Sequence, residues 1–314
     1  MESQNGEAMN NGLTIGLDIG GTRFKAALVD QKGQISNELN VPSSLESGYQ
    51  GFFIQAKKII GEILEKSPSK PNGIGLAVAG LMNRDRSTVI DSPNCGVLIG
   101  HRLAEDIESA TGLPTEMEND ANAMALGERL CGAARVSRHF VAYTIGTGIG
   151  GAVISDGRLV RGIDGGGCEL GHIPIGIDGP RCGCGAVGCL EAFIGRTGLR
   201  LYIDQHHPRF SDTGLKELEE IARRGDEEAL DVFAYMGRIL AVGAAGLVNI
   251  FNPEMLIIGG GVANAWELFH EPLEKELKQR VFASYMASLK VKQAQLGNWA
   301  GVIGAAAMIG NKVG

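Results

Sequence analysis

One strand–turn–strand pattern occurs twice in this chain, and that duplication limits its possible folds more than any other feature. Residues 16–33, GLDIGGTRFKAALVDQKG, and 143–158, YTIGTGIGGAVISDGR, each run through an apolar strand, a Gly/Thr-rich turn, a second apolar strand and an Asp-plus-Gly turn. The two copies stand roughly 130 residues apart, far beyond the ~20–50 residues of a solenoid repeat, so they imply two related domains. The expected fold class is α/β, with two duplicated lobes facing each other and one glycine turn on either side of a central cleft. A chain of 314 residues, 44% hydrophobic and 21% charged, is long enough to give each lobe a core of its own.

The turns carry chemistry as well as topology. In the first, Asp18 closes a strand and Gly20-Gly21 lets the backbone reverse with no Cβ in the way of an approaching group. Thr22 adds a hydroxyl. Backbone N–H groups and a hydroxyl aimed at one point suit a phosphate, and Asp18 is placed to hold the accompanying Mg²⁺ through water. Taken alone, the segment reads equally well as an ordinary tight hairpin with a solvated aspartate. Its recurrence at Thr147, Gly148 and Gly150 favours the phosphate.

The 47 glycines are spread through strand-turn contexts and form no low-complexity tract. A net charge of −7 argues against general nucleic-acid binding, which needs a basic stripe. No apolar run reaches the roughly 18–20 residues of a membrane span. The longest, Ile239 to Phe251, is Ala/Gly-rich and reads as a buried helix. The polar start, MESQNGEAMNNG, has no signal-peptide character and reads as a frayed tail. A cytoplasmic protein is expected.

In order, residues 13–39 predict three strands and 49–66 a helix with apolar residues at helical spacing. GIGLAVA (73–79) predicts a strand buried on both faces. A long loop (80–101), a helix (102–110) stopped by Gly112, a strand (114–118) and a helix (121–130) complete the first half. The second restarts with strands at 140–145, 151–154 and 159–160 and a long loop at 164–190. Helices follow at 195–203, 214–224 and 226–249, then a strand at 255–258. A helix (265–281), a strand (289–295) and an Ala/Gly helix (301–310) end the chain.

Between a buried strand and a helix lies ENDANA (118–123). Either Asn119 or Asp120 out of context is an N-cap. In context Asp120 is a carboxylate at the C-terminal end of a strand, where ligands gather in open α/β sheets. There it can take the proton of a hydroxyl attacking a phosphoryl group, with Asn119 fixing a substrate hydroxyl beside it. Cys182, Cys184 and Cys189, strung on glycines ten residues after His172, have the composition of a tetrahedral Cys₃His zinc site with no open position, structural in role. Reduced cysteines in a plain loop are the other reading; a disulfide does not suit the cytosol. Cys95, Cys131 and Cys168 lack ligand spacing and read as small buried hydrophobes. If a metal fixes the loop, Glu169, Glu191 and the free nitrogen of His172 can bind sugar hydroxyls. Gly259-Gly260-Gly261, after a strand, fits an adenine/ribose contact. His206-His207 reads as surface loop.

Together LDIGGT (17–22), ENDANA (118–123), TIGTGIGG (144–151), ELGH (169–172), CGCGAVGCLE (182–191) and NPEMLIIGGGV (252–262) resemble the ROK family (repressor, open reading frame, kinase) of sugar kinases. The family lies within the actin/hexokinase/Hsp70 ATPase superfamily, of ribonuclease H-like fold. The resemblance implies a glucokinase-like ATP- and Mg²⁺-dependent hexose kinase, most simply forming glucose 6-phosphate, with Asp120 as base. It implies sugar contacts from Asn94, Asn119, Asp120, Glu169, His172 and Glu191. Nucleotide contacts would come from Asp18, Gly20, Gly21, Thr22, Lys25, Thr147, Gly148, Gly150 and Gly259–Gly261, and zinc ligation from His172, Cys182, Cys184 and Cys189. It also implies a homodimer and a final helix packed back on the first lobe. That gives a small lobe of 11–123 plus 301–314 and a large lobe of 124–300 with a zinc-stabilised loop at 164–191. Closure of the lobes would exclude water.

Residues 79–83, AGLMN, depart from the family's usual PGPVD. The loop after Asn94 lacks a frequent tryptophan, and Cys168 takes a usual glycine place. Glucose, N-acetylmannosamine or another hexose therefore remain open as substrates. A sugar-binding transcriptional regulator from the same family would carry a helix-turn-helix ahead of the first glycine turn, where this sequence has about a dozen polar residues. An Hsp70- or actin-like ATPase would have no use for the cysteine loop.

Overall fold

The structure is a computed structural model in which residues 12–310 are described. The frayed tail expected ahead of the first strand, Gly12 excepted, lies outside the described residues, as do the last four residues of segment 301–314. In chain order the elements are β1 (Thr14–Ile19), β2 (Arg23–Val29), β3 (Ile35–Pro42), α1 (Gly48–Lys66), β4 (Ile74–Val78), β5 (Leu81–Met82), β6 (Val89–Asp91), α2 (Leu103–Thr111), β7 (Thr115–Asn119) and α3 (Asp120–Cys131). Then come β8 (Phe140–Ile145), β9 (Ile149–Ser155), β10 (Arg158–Leu159), α4 (Leu190–Ile194), α5 (Arg196–His206), α6 (Leu215–Arg223), α7 (Glu227–Phe251), β11 (Met255–Gly259), α8 (Trp266–Arg280), α9 (Ala283–Met286), β12 (Lys290–Gln293) and α10 (Ala300–Gly310).

These divide into two compact units. The first holds the described residues up to Cys131, Ile163–Gly166, and those from Trp299 on; the second holds Gly132–Gly162 and Gly167–Asn298. A boundary after residue 123 would cut α3, whose hydrogen-bond ladder runs unbroken to Cys131, and the whole helix stays with the first unit. Residues 163–166, expected in the large lobe, also go with the first.

The duplication extends to topology. The first unit's sheet has the order β3-β2-β1-β4-β7: an antiparallel meander, then parallel strands. The second unit's sheet is β10-β9-β8-β11-β12, with the same directions in the same places. β4 (IGLAV) and β11 (MLIIG) are buried at every residue, as unalternating apolar runs demand of central parallel strands. β3 alternates half-buried and exposed residues along the sheet edge. Gly112, at φ 67°, ends α2 in the left-handed conformation that glycine adopts without penalty.

α10 is the covering element of the first sheet, and glycines set its distance. A Cβ on Gly16 of β1 would stand 2.0 Å from the Val302 carbonyl, and one on Gly75 of β4 1.8 Å from that of Ala305. Where α10 crosses α3, a Cβ on Gly304 would stand 1.6 Å from the Ala123 carbonyl, and one on Gly127 2.5 Å from that of Ala300. The expectation that the final helix packs on the first lobe's elements describes this contact; it could not foresee that both surfaces would be stripped to backbone.

One reading is extended and one needs correction. α7, 25 residues long, is long and apolar enough to cross a membrane by length and composition, and it contains the buried helix expected at 239–251. It is the central helix of the second unit, where Val232, Met236, Leu240, Ala244 and Val248 are buried in a core shared with Phe269 and Leu273 of α8. Its charges cluster in its first half, which is why no uninterrupted apolar run stood out. His207 is not a surface residue: it is 9% exposed, its Nε2 lies 3.0 Å from Asp231 Oδ2, and Tyr202 donates to that same oxygen at 2.7 Å. α7 supplies that aspartate, a partner invisible in the local sequence.

Gly304→Ala should destabilise the protein by roughly 1–3 kcal/mol, the cost of overpacking. Gly246→Ala is the control: it lies in α7 with open space around it and should gain roughly 0.5–1 kcal/mol in helix propensity. Urea-unfolding midpoints of the two variants check both signs.

Candidate active site

In the first unit, the pairing of β1 with β2 places Asp18 opposite Lys25. Lys25 Nζ donates to Asp18 Oδ2 at 3.0 Å, both side chains being largely buried. The Gly20 N–H donates to the Arg23 carbonyl at 3.0 Å and closes the turn, leaving Gly21 and Thr22 exposed. A Cβ on Gly21 would stand 3.0 Å from the Asn94 carbonyl, so the bare backbone there admits the 92–95 loop. A Cβ on Gly301 would lie 3.1 Å from the Asp18 carboxyl carbon. The Asp18 carboxylate therefore lies against the first turn of α10, where the helix dipole favours a negative charge.

Asp120 opens α3 directly after β7. Its Oδ1 accepts the Ala121 N–H at 2.9 Å. The N-cap role falls to Asn119: its Oδ1 accepts from Ala121 and Asn122 N–H at 2.9 and 3.2 Å, and its Nδ2 donates to the Gly80 carbonyl at 3.1 Å. Glu118 is 2% exposed. Its Oε1 accepts from Asn122 Nδ2 at 3.0 Å and from the Asn119 N–H at 3.1 Å, and Arg86 lies 3.4 Å from its other oxygen. Sequence reasoning took Glu118 into a motif without a role and missed Arg86 altogether, because nothing local links residue 86 to residue 118.

The charges of Asp18 and Asp120 are both felt at the buried Cys95 thiol. Burial pushes this thiol up from 9.0 to about 11, the Ser92 hydroxyl pulls it down, and the charges of Asp120 and Asp18 raise it further. The Ser92 hydroxyl accepts the Cys95 N–H at 2.9 Å and donates to the Ala79 carbonyl at 2.5 Å. Asn94 is exposed between them. Cys95 is thus a buried hydrophobe, as expected, but one lying beneath two carboxylates of the candidate site.

In the second unit, Glu191 serves the second glycine turn. Its Oε2 accepts the Ile149 N–H at 2.7 Å, and a Cβ on Gly148 would stand 2.4 Å from the same oxygen. The Thr147 carbonyl accepts the Arg196 N–H at 3.2 Å, and Thr147 is exposed. Crowding by protein raises the Glu169 carboxyl, which His172 pulls down and Glu191 pushes up, so these three side chains share one locality. Gly260, at φ 82°, fits where a Cβ would stand 2.4 Å from the Ile145 carbonyl, whereas Gly261 faces open space. Gly259 ends β11, and Gly260 and Gly261 are both exposed.

The ligand atoms of His172, Cys182, Cys184 and Cys189 all lie within 4.8 Å of one another. Cys182 Sγ stands 3.5 Å from His172 Nδ1, and Cys184 Sγ 3.8 Å from Cys189 Sγ. Tetrahedral zinc at its usual bond lengths requires about 3.5 Å and about 3.8 Å for such pairs. The donor set fits that ion. Cys182 Sγ also lies 3.8 Å from Glu191 Oε1, which ties the cluster to the second turn. Cys168, by contrast, donates its thiol to the Val160 carbonyl at 3.1 Å from a left-handed backbone, φ 71°, and is only partly buried.

Residues 14–312 match the ROK family. The glucokinase of Thermotoga maritima is 35% identical over 313 residues, covering 96% of this chain and 98% of its own. Among solved structures, a ROK family glucokinase from Streptomyces griseus, in complex with glucose and AMPPNP, superposes with a TM-score of 0.82 at 33% identity, over 95% of this chain and 99% of that one. A ROK hexokinase from Thermus thermophilus gives 0.80 at 32%, over 94% and 97%.

With its pKa raised to about 11, Cys95 stays protonated at pH 8 and should resist iodoacetamide in the native protein. The exposed Cys184, held below its ordinary value first by the Ala186 N–H, should label readily in the metal-free protein. Mass spectrometry of the peptides checks the contrast, and native labelling of Cys95 at the rate of the unfolded chain would refute its placement.

Proposed function

The chain belongs to the ROK family, and from that premise we propose that it transfers the γ-phosphoryl group of ATP to a hexose, glucose being the substrate. The observation that carries this reading is the placement of Asp18 near the end of β1 and of Asp120 directly after β7, both at the carboxyl ends of parallel strands of one sheet. A chain whose full-length relatives include glucokinases thus has a metal-type carboxylate and a base-type carboxylate at the carboxyl ends of its parallel strands, where α/β sheets bind ligands.

In this mechanism Asp120 accepts the proton of the sugar hydroxyl as its oxygen bonds to the γ-phosphorus. The bond from that phosphorus to the bridging oxygen breaks, and ADP leaves with the electron pair. Asp120 is oriented by its own helix N-terminus, where Oδ1 accepts the Ala121 N–H. Asn94 and Asn119 in the first unit, and Glu169, His172 and Glu191 in the second, are assigned to the sugar. The exposed turn at Gly20, Gly21 and Thr22, its counterpart at Thr147, Gly148 and Gly150, and the glycines at 259–261 are assigned to the nucleotide. Mg²⁺, when bound, neutralises charge on the phosphoryl oxygens; Asp18 would hold it through water, with the Lys25 ammonium beside it as a second positive charge.

The Cys₃His cluster is assigned to structural zinc on its donor set and spacing. The metal would fix the orientation of His172 and, through the neighbouring Cys182, the carboxylate of Glu191. A cytoplasmic homodimer completes the reading, on the strength of the family.

ADP release with ATP and Mg²⁺ across a panel of hexoses, against a sugar-free blank, tests the proposal directly. Strong turnover with glucose is expected; turnover equal to the blank with every sugar would reject it. Asp120→Asn should lower kcat by roughly 10²–10⁴-fold, the usual worth of a general base, with the KM for glucose nearly unchanged. Metal analysis should find one zinc per chain, and its removal by a chelator should lower the thermal midpoint until zinc is restored. A midpoint indifferent to chelation would remove the metal from the account.

A further inference from the structure

Within the first unit, a buried carboxylate is met by an arginine that reaches it from a strained turn. The β5–β6 hairpin turns through residues 83–88. There Asn83 Oδ1 accepts the N–H groups of Ser87 and Thr88 at 2.9 and 3.0 Å, and the Arg86 N–H donates to the Asn83 carbonyl at 2.9 Å. Arg86 occupies the left-handed region, φ 59°, which is costly for an L side chain. Nothing in the turn's own hydrogen bonding calls for an arginine. That backbone brings its guanidinium to 3.4 Å from Glu118, a carboxylate almost wholly withdrawn from water.

Glu118 in turn grips the start of α3. Its Oε1 receives the N–H of Asn119 and the side-chain amide of Asn122, on either side of Asp120. The other end of the hairpin is fastened to the same place, since Asn119 Nδ2 donates to the Gly80 carbonyl just ahead of β5. Ser92, just after β6, bonds back to Ala79 and forward to Cys95, and between Ser92 and Cys95 lies Asn94, packed on Gly21. The Asn94 loop and the end of β7 are thereby fastened by hydrogen bonds to neighbouring carbonyls, those of Ala79 and Gly80, and the first glycine turn packs on that loop.

We propose that Arg86 is a positioning residue for the phosphoryl transfer: through Glu118 it holds the β5–β6 hairpin against the Asn119–Asp120 step and keeps the base in line with the sugar loop. It touches no reacting atom. Its effect is on kcat, because a base that wanders by an ångström loses alignment while the sugar's binding contacts survive. The inference rests on the kinase reading for its kinetic consequence, but the clamp itself is a structural claim and is measured separately.

Arg86→Gly is the sharp variant, because glycine adopts φ 59° without strain, and the guanidinium rescue below separates loss of the side chain from loosening of the turn. Its kcat for glucose should fall about tenfold with KM within about twofold, and low-millimolar guanidinium chloride should restore part of it by refilling the vacated place. Hydrogen exchange of the 118–122 amides, read by mass spectrometry on the full chain, should quicken in Arg86→Gly and slow again with guanidinium. Where the single variant unfolds because the buried Glu118 charge has lost its arginine, Arg86→Gly/Glu118→Gln removes that charge; it should fold and keep the low kcat. Wild-type kcat in either folded variant, or unchanged exchange at 118–122, overturns the proposal. Absence of hexose-dependent turnover in the unaltered protein overturns the kinase reading instead, and the exchange experiment still judges the clamp.

Discussion

The first unit depends on a helix lying at backbone distance from a sheet. Gly16 and Gly75 strip β1 and β4 of side chains where α10 crosses them, and Gly127 and Gly304 do the same where α10 meets α3. The stabilisation gained is dispersion between closely packed atoms rather than burial of large side chains. It is steep in distance, so one added methyl group at these positions meets a carbonyl and not a gap. This contact also sets the electrostatics of the site. Because α10 lies so close, its first turn reaches Asp18, and Gly301 is small where the carboxylate needs room.

The two units solve a common problem with different materials. Each has a glycine hairpin at the start of its sheet that must be held open and rigid. In the first, the holding groups are Lys25 on Asp18 and the Asn94 loop packed on Gly21. In the second, Glu191 accepts the N–H at the end of the turn while its other oxygen lies near Cys182 of the cysteine cluster. One carboxylate thus links the second turn to the metal-type loop. A change in that loop would be felt at the turn through a single side chain.

Much of this was legible in the sequence, for identifiable reasons. The twofold strand–turn–strand pattern predicts two similar sheets, and both have the same strand order. Unalternating runs such as GIGLAVA gave buried parallel strands, and apolar spacing gave α1 within a residue of its observed start. What escaped was long-range. His207 looked like surface because its partner, Asp231, lies on another helix. Arg86 looked like loop because Glu118 comes 32 residues later. Gly16 and Gly75 read as strand residues of no special kind, and only the fold shows what they make room for. Asn119 reads from the sequence both as a cap and as a sugar contact; its hydrogen bonds describe the cap, and the sugar contact belongs to the proposed function.

The position of α10 in the chain has a kinetic side. The sheet it covers is complete by β7, yet the helix is translated about 170 residues after α3, which at ribosomal rates is on the order of ten seconds later. During that interval β1 and β4 present bare glycine backbone with nothing against it, and the first unit waits as an unfinished surface while the second is made. Synthesis order and assembly order therefore differ, and the part begun first is the last to close.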